Sequence, residues 1–218
     1  MFGTQVATLV VSDLCEGRYD PCTPVARSDD LQTFHRSPCL YAVTKLQQMS
    51  LFPSKCYWVA EDFLAGATFD GWTEAEAMLN LEELNRAGVK VIVSLAAWDE
   101  FLLDLSQREW LQHEIEWRFT HYVFPVGDGQ VPTRIFAREI LDTIDTELSR
   151  HHRVYVHCCG GRGRTGTIVG CWLARHGYGS GEEVLGAITA LRRAALLDGS
   201  SPETEEQRSL VTSWKWKE

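Results

Sequence analysis

The residues best suited to chemistry in this chain sit in one stretch, Val154-Tyr155-Val156-His157-Cys158-Cys159-Gly160-Gly161-Arg162-Gly163-Arg164-Thr165-Gly166-Thr167. An apolar run there gives way to glycines and two arginines and then to a helical pattern, so the order reads as strand, tight loop and helix start. Gly-rich backbone entering a helix aims several N–H groups and the positive end of the helix dipole at one point, which makes an anion site. Cys158 lies at the mouth of that site. Backbone donors, the helix N-terminus and Arg164 all favour a thiolate over a thiol, so the loop offers an anion cradle and a nucleophile together.

His157-Cys158, five further residues and then Arg164-Thr165 resemble the signature of the cysteine-dependent protein tyrosine phosphatase superfamily, in which a cysteine and an arginine bracket a phosphate-binding loop. The resemblance implies a substrate phosphate bound by Cys159, Gly160, Gly161, Arg162, Gly163 and Arg164, with Cys158 placed for in-line attack on phosphorus. Each residue type has a physical reason. The intervening residues wrap backbone around a tetrahedral dianion, glycines permit the close approach, and Arg164 holds two oxygens in a bidentate fork. Thr165 is expected to hydrogen-bond the sulfur and make it a better leaving group, and His157 to brace the loop from behind.

A nucleophile alone leaves the departing oxygen unprotonated, so the chemistry also needs a general acid. Asp128 is the candidate: Asp128-Gly129-Gln130-Val131-Pro132 follows a strand pattern and looks like the superfamily's mobile acid loop, with Gly127 where proline is usual. Gln207 is expected to orient the hydrolytic water, as a late glutamine does in some branches. The implied mechanism is two-step phosphoryl transfer through a phosphocysteine, and it needs no metal or cofactor. Cys159 and Cys171 are candidate resolving thiols should Cys158 oxidise.

These groups need a scaffold, and the flanking patterns supply one. Val89–Leu95 is β-branched and nearly continuous, as a strand covered on both faces is. Tyr57–Ala60 and Tyr122–Val126 read as further strands, and Phe63–Gly66 as the approach to a turn. Helices are expected from Thr73, as N-cap, to Ala87, then over 104–118, along Phe136, Ile140, Ile144 and Leu148, and from the loop to Gly177. Two more follow near Glu182–Ala195 and Pro202–Trp214. The expected fold is α/β, a central mostly parallel sheet of four or five strands flanked by helices, with the phosphate loop after the last strand. Residues 51–218 form the catalytic domain in this reading, and residues 1–50, with a strand at Val6–Val11, an N-terminal extension.

The chain of 218 residues is 44% apolar and 23% charged, with a net charge of −9. That balance argues against a nucleic-acid partner, and no apolar run is long enough to span a membrane. Seven cysteines at wide spacings fit neither a disulfide framework nor a zinc knuckle, which points to a reducing, cytoplasmic setting. Gly161 to Gly166 also fits the dinucleotide pattern G-x-G-x-x-G, but the chain continues with helical patterns only and lacks the second strand ending in an acid. Glu100, after the Val89–Leu95 strand, is a candidate support for the arginine but reads first as a solvated loop acid, and Arg162 reads as either a widening of the positive field or a solvent-facing side chain. The substrate expected is a phosphoprotein, hydrolysed by an enzyme resembling the compact dual-specificity group. A phospho-binding module with little turnover and a phosphatase for an inositide or RNA 5′-triphosphate are the competing readings.

Overall fold

A strand buried on both faces must be apolar at almost every position, and two such runs form the centre of the fold. The structure, a computed structural model, describes residues 56–67, 74–100 and 105–218. The expected extension over 1–50, its strand and the Thr73 cap lie outside the described residues. Among the described residues the sheet has five strands in the order β1-β2-β5-β3-β4, with β1 at Cys56–Ala60, β2 at Phe63–Ala67, β3 at Val89–Ser94, β4 at Thr120–Val123 and β5 at Arg153–Cys158. Only the β1–β2 hairpin is antiparallel. The expected fold class therefore holds.

Phe63–Gly66 is a correction. It forms the strand β2, wholly buried, pairing antiparallel with β1 and parallel with β5. Its small residues, Ala65, Gly66 and Ala67, have weak strand propensity, and burial beside the central strand overrides it. The register sets Ala67 beside Cys158 and Ser94 beside His157, so β2 and β3 flank the start of the phosphate loop. β4 begins and ends earlier than the pattern suggests. Beyond it, Phe124 N–H still donates to Ser94 O at 2.8 Å and Val126 N–H to Leu95 O at 2.9 Å, which carries the chain along the sheet edge toward Asp128.

Among the described residues six α-helices cover the two faces: α1 (Glu74–Arg86), α2 (Leu105–Arg118), α3 (Arg134–Ser149), α4 (Gly163–Arg175), α5 (Glu182–Ala194) and α6 (Glu205–Ser213). Alternation along β5 divides the core. Tyr155 joins Leu64, Leu81, Leu84, Ile92 and Ile115 beneath α1 and α2, while Val154, Val156 and Cys158 join Ile140, Ile168, Trp172, Ile188 and Val211 beneath the other four helices. α4 is buried from Gly163 to Ala174, which explains its mostly apolar sequence. Close approach along it serves α6 rather than the sheet: a Cβ at Gly170 would stand 2.6 Å from the Val211 side chain.

Candidate active site

The site lies where the C-terminal ends of the parallel strands meet the N-terminus of α4, the edge at which open α/β sheets place their ligands. Cys158 ends β5 and is 3% exposed. Its Sγ accepts a hydrogen bond from Thr165 Oγ1 at 3.1 Å, the contact expected for that threonine. The same hydroxyl lies 3.3 Å from Gly66 O. Gly161 has φ +65°, and a Cβ there would stand 2.6 Å from the Gly66 carbonyl carbon, so the loop rests directly on the backbone of β2.

Arg164 is the hub. Only 2% exposed, its guanidinium donates from Nη1 to Glu100 Oε2 at 2.6 Å and to Val126 O at 2.7 Å. From Nη2 it donates to Asp128 Oδ1 at 3.1 Å and to Cys159 Sγ at 3.4 Å. Burial opposes its charge, but the Cys158 sulfur and the Glu100 carboxylate outweigh burial and raise its pKa. Glu100 is thus no solvated loop acid: it holds the arginine's inner nitrogen and also accepts from Ala97 N–H at 2.9 Å. The signal for it was its place after β3, at the strand edge that bears the phosphate loop.

Asp128 is 86% exposed and reaches back to Arg164. It occupies the second position of a β-turn closed by Gln130 N–H to Gly127 O at 3.0 Å, with Gly129 at φ +68°. The rigidity a proline at Gly127 would confer comes here from that turn and from Gln207, whose Nε2 donates to Gln130 O at 3.1 Å. Gln207 is fully buried. Its Oε1 accepts from Glu203 N at 3.1 Å and Thr204 N at 3.2 Å, and Thr204 caps the helix in return, a capping box that starts α6 after the loop containing Pro202.

Behind the loop, His157 Nε2 lies 2.7 Å from Ser94 Oγ, which in turn lies 2.9 Å from His121 Nε2. A hydroxyl has one proton, so Ser94 donates to one ring and accepts N–H from the other. Burial, with His121 adding to it, pushes the His157 pKa down to about 3, and burial pushes His121 to about 4, so both rings are neutral at neutral pH. Ser94 and His121 are the side chains through which His157 would brace the loop, and nothing in their spacing announces the contact. Arg162 does not reach outward as a free cation: it pairs with Glu203 at 3.3 Å and lies 3.4 Å from Ser200 O. Cys159 is half-buried, which raises its thiol pKa against the opposing pull of Arg164, whereas Cys171 is fully buried in the core.

Residues 65–178, more than half of the chain, match the family described as polymorphic toxin system, DSP-PTPase phosphatase. The chain belongs to this family. Among curated proteins it is 32% identical over 91 residues to the dual specificity protein phosphatase CDC14AB of Danio rerio, a stretch covering 42% of this chain and 14% of that one. The chain thus spans a small part of the length of such relatives. Its fold is similar to that of the solved structure of Tk-PTP in the active form, at TM-score 0.56 and 23% identity, over 75% of this chain and 97% of that one. Kinase associated phosphatase with its catalytic-site cysteine replaced by serine superposes at TM-score 0.59 and 18% identity, over 75% and 93% of the two chains. No group of three or more His, Cys, Asp or Glu residues suited to a metal occurs among the described residues.

Proposed function

We propose that this DSP-PTPase family member hydrolyses phosphate monoesters on proteins, phosphotyrosine among them, through a phosphocysteine intermediate. The observation that carries the reading is the buried Arg164, whose one guanidinium touches both the acid-loop Asp128 and the phosphate loop. In the first step Cys158 Sγ attacks phosphorus, the P–O bond to the leaving group breaks, and Asp128 gives its proton to the departing oxygen. In the second a water attacks the phosphocysteine, the S–P bond breaks, and Asp128 takes the water's proton while Thr165 donates to the departing sulfur. The loop N–H groups and Arg164 stabilise charge on the equatorial oxygens, the main catalytic resource in phosphoryl transfer.

Gln207 anchors the acid loop, and its remaining N–H is suited to the hydrolytic water. A monoester on protein is favoured over an inositide or polyphosphate because Arg162, the extra base of the loop, is taken up by Glu203 and Ser200. A reducing, cytoplasmic setting suits a mechanism that needs Cys158 as a thiol, and no helix among the described residues is long and apolar enough to cross a membrane. Turnover of an aryl phosphate by the wild type, Cys158→Ser and Asp128→Ala tests the proposal. Cys158→Ser should be inactive and Asp128→Ala should lose roughly 10²–10⁴-fold in kcat. Wild-type protein that binds vanadate or phosphopeptide without turnover would make the chain a phospho-binding module instead.

A further inference from the structure

α5 presents one charged side chain to the back of the phosphate loop. Arg192 is 5% exposed. It donates from Nη1 to Gly161 O at 2.9 Å and from Nη2 to Asp198 O at 3.0 Å, and its guanidinium lies over the Tyr57 ring, 5.7 Å from the centroid. Among the described residues no carboxylate pairs with it. Withdrawing such a cation from water is costly, and two carbonyls and a ring face offset the cost only in part. An anion within its field would complete the compensation, and the neighbouring anion site is the phosphate loop.

The contact with Gly161 also has a direction. Gly161 sits at φ +65° with its carbonyl turned to Arg192. In a trans peptide C=O and N–H point oppositely, so the Arg162 N–H of the same peptide is sent away from Arg192. We propose that Arg192 is a positioning residue of the phosphate site: it pins the Gly161 carbonyl outward, thereby holds the Arg162 N–H inward, and sets a water-excluded positive charge behind the bound phosphoryl group. The charge-assisted bond to the carbonyl polarises that peptide and strengthens its N–H as a donor. Arg192 touches no reacting atom. Its role rests on the phosphatase reading above and extends it to a residue outside the signature.

The test compares wild type, Arg192→Met and Arg192→Lys in aryl phosphate hydrolysis, in inhibition by vanadate and in thermal melting, with kinetics taken well below each melting temperature. Arg192→Met should lose roughly 10–100-fold in kcat/KM, mostly in kcat, with vanadate inhibition weakened in proportion, because donors aimed at transition-state charge matter more than those that bind the ground state. Arg192→Lys keeps the charge and one of the two bonds, so it should recover part of the loss. A purely structural role would lower the melting temperature and leave kcat, KM and vanadate inhibition of the folded protein unchanged, and that result overturns the proposal. Where Arg192→Met does not fold, wild-type kinetics and vanadate inhibition in Arg192→Lys overturn it equally. If the wild type itself shows no turnover the phosphatase reading fails, while vanadate binding by the variants still decides the positioning claim.

Discussion

Replacing Gly161 with alanine tests whether backbone contact with β2 shapes the phosphate loop. The added Cβ would stand 2.6 Å from the Gly66 carbonyl carbon and 2.7 Å from both Ala67 N and Gly66 O. Ordinary contact needs about 3.5 Å, so the loop must withdraw by roughly 0.8 Å, since the opposing atoms are strand backbone and do not yield. A non-glycine residue at φ +65° adds about 1–2 kcal/mol, and the overpacking adds about 1–3 kcal/mol. Together these predict a loss of roughly 2–5 kcal/mol, or about 5–15 °C in melting temperature for a chain of this size. A displacement near 1 Å in the phosphate donors should also cost about 10²-fold in kcat/KM. Gly160→Ala is the internal control, because its Cβ would meet nothing within 4 Å; its melting temperature should stay within about 2 °C of wild type. Melting by circular dichroism and aryl phosphate kinetics check both. Wild-type behaviour in Gly161→Ala, or equal thermal damage in Gly160→Ala, would refute the reasoning.

Thr165→Ala removes the hydroxyl that donates to Cys158 Sγ at 3.1 Å, which should slow breakdown of the phosphocysteine; stopped-flow phenolate release should show a burst absent from wild type and kcat should fall about 10-fold. Glu100→Gln takes the anionic partner from Arg164 Nη1 but leaves Val126 O at 2.7 Å. It should lower kcat/KM roughly 10-fold and stability by about 1 kcal/mol, read by steady-state kinetics and urea unfolding. The third expectation concerns pH. His157 and His121 titrate near 3 and 4 when folded, with Arg164 adding to the fall at His157 and Glu116 opposing it at His121. Both titrate near 6.5 when unfolded. Between about 6.5 and 4 the unfolded chain therefore binds more protons than the folded one, so this stability is present above 6.5 and is lost as pH falls. The slope is up to about 1.4 kcal/mol per pH unit for each histidine. Urea unfolding at pH 7 and pH 5, above most of the carboxylate range, should show the drop, and equal midpoints would mean that the rings are charged in the folded protein.

Most strands of the central sheet, and the residues proposed for the chemistry of one loop, were legible in the residue order, because both are local. Val89–Ser94 declares itself by unbroken apolar character, and α3 by helical spacing that buries Ile140, Leu141 and Ile144. Cys158, Arg164 and Thr165 lie within one turn of chain, so their types and spacing carry the anion cradle without reference to anything distant. β2 was not legible, since Ala65-Gly66-Ala67 has neither alternation nor β-branching and becomes a strand only by burial beside β5.

What tertiary structure alone decided is which distant residues complete the site. Glu100, six residues past the end of β3, meets Arg164 only because strand order sets β3 beside β5. Ser94 and His121 reach His157 through register, and Gln207 reaches the acid loop through packing of α6 on α4. Arg192 comes from a helix face that reads in sequence as an ordinary charged turn. The spacing of residues along a chain encodes contacts within a few turns, whereas a contact across 30 to 80 residues depends on how the sheet is ordered and how closely the helices sit on it. The candidate nucleophile, its arginine and the glycine-rich loop therefore lie together in one stretch of sequence, and the distant residues around them were settled by the fold.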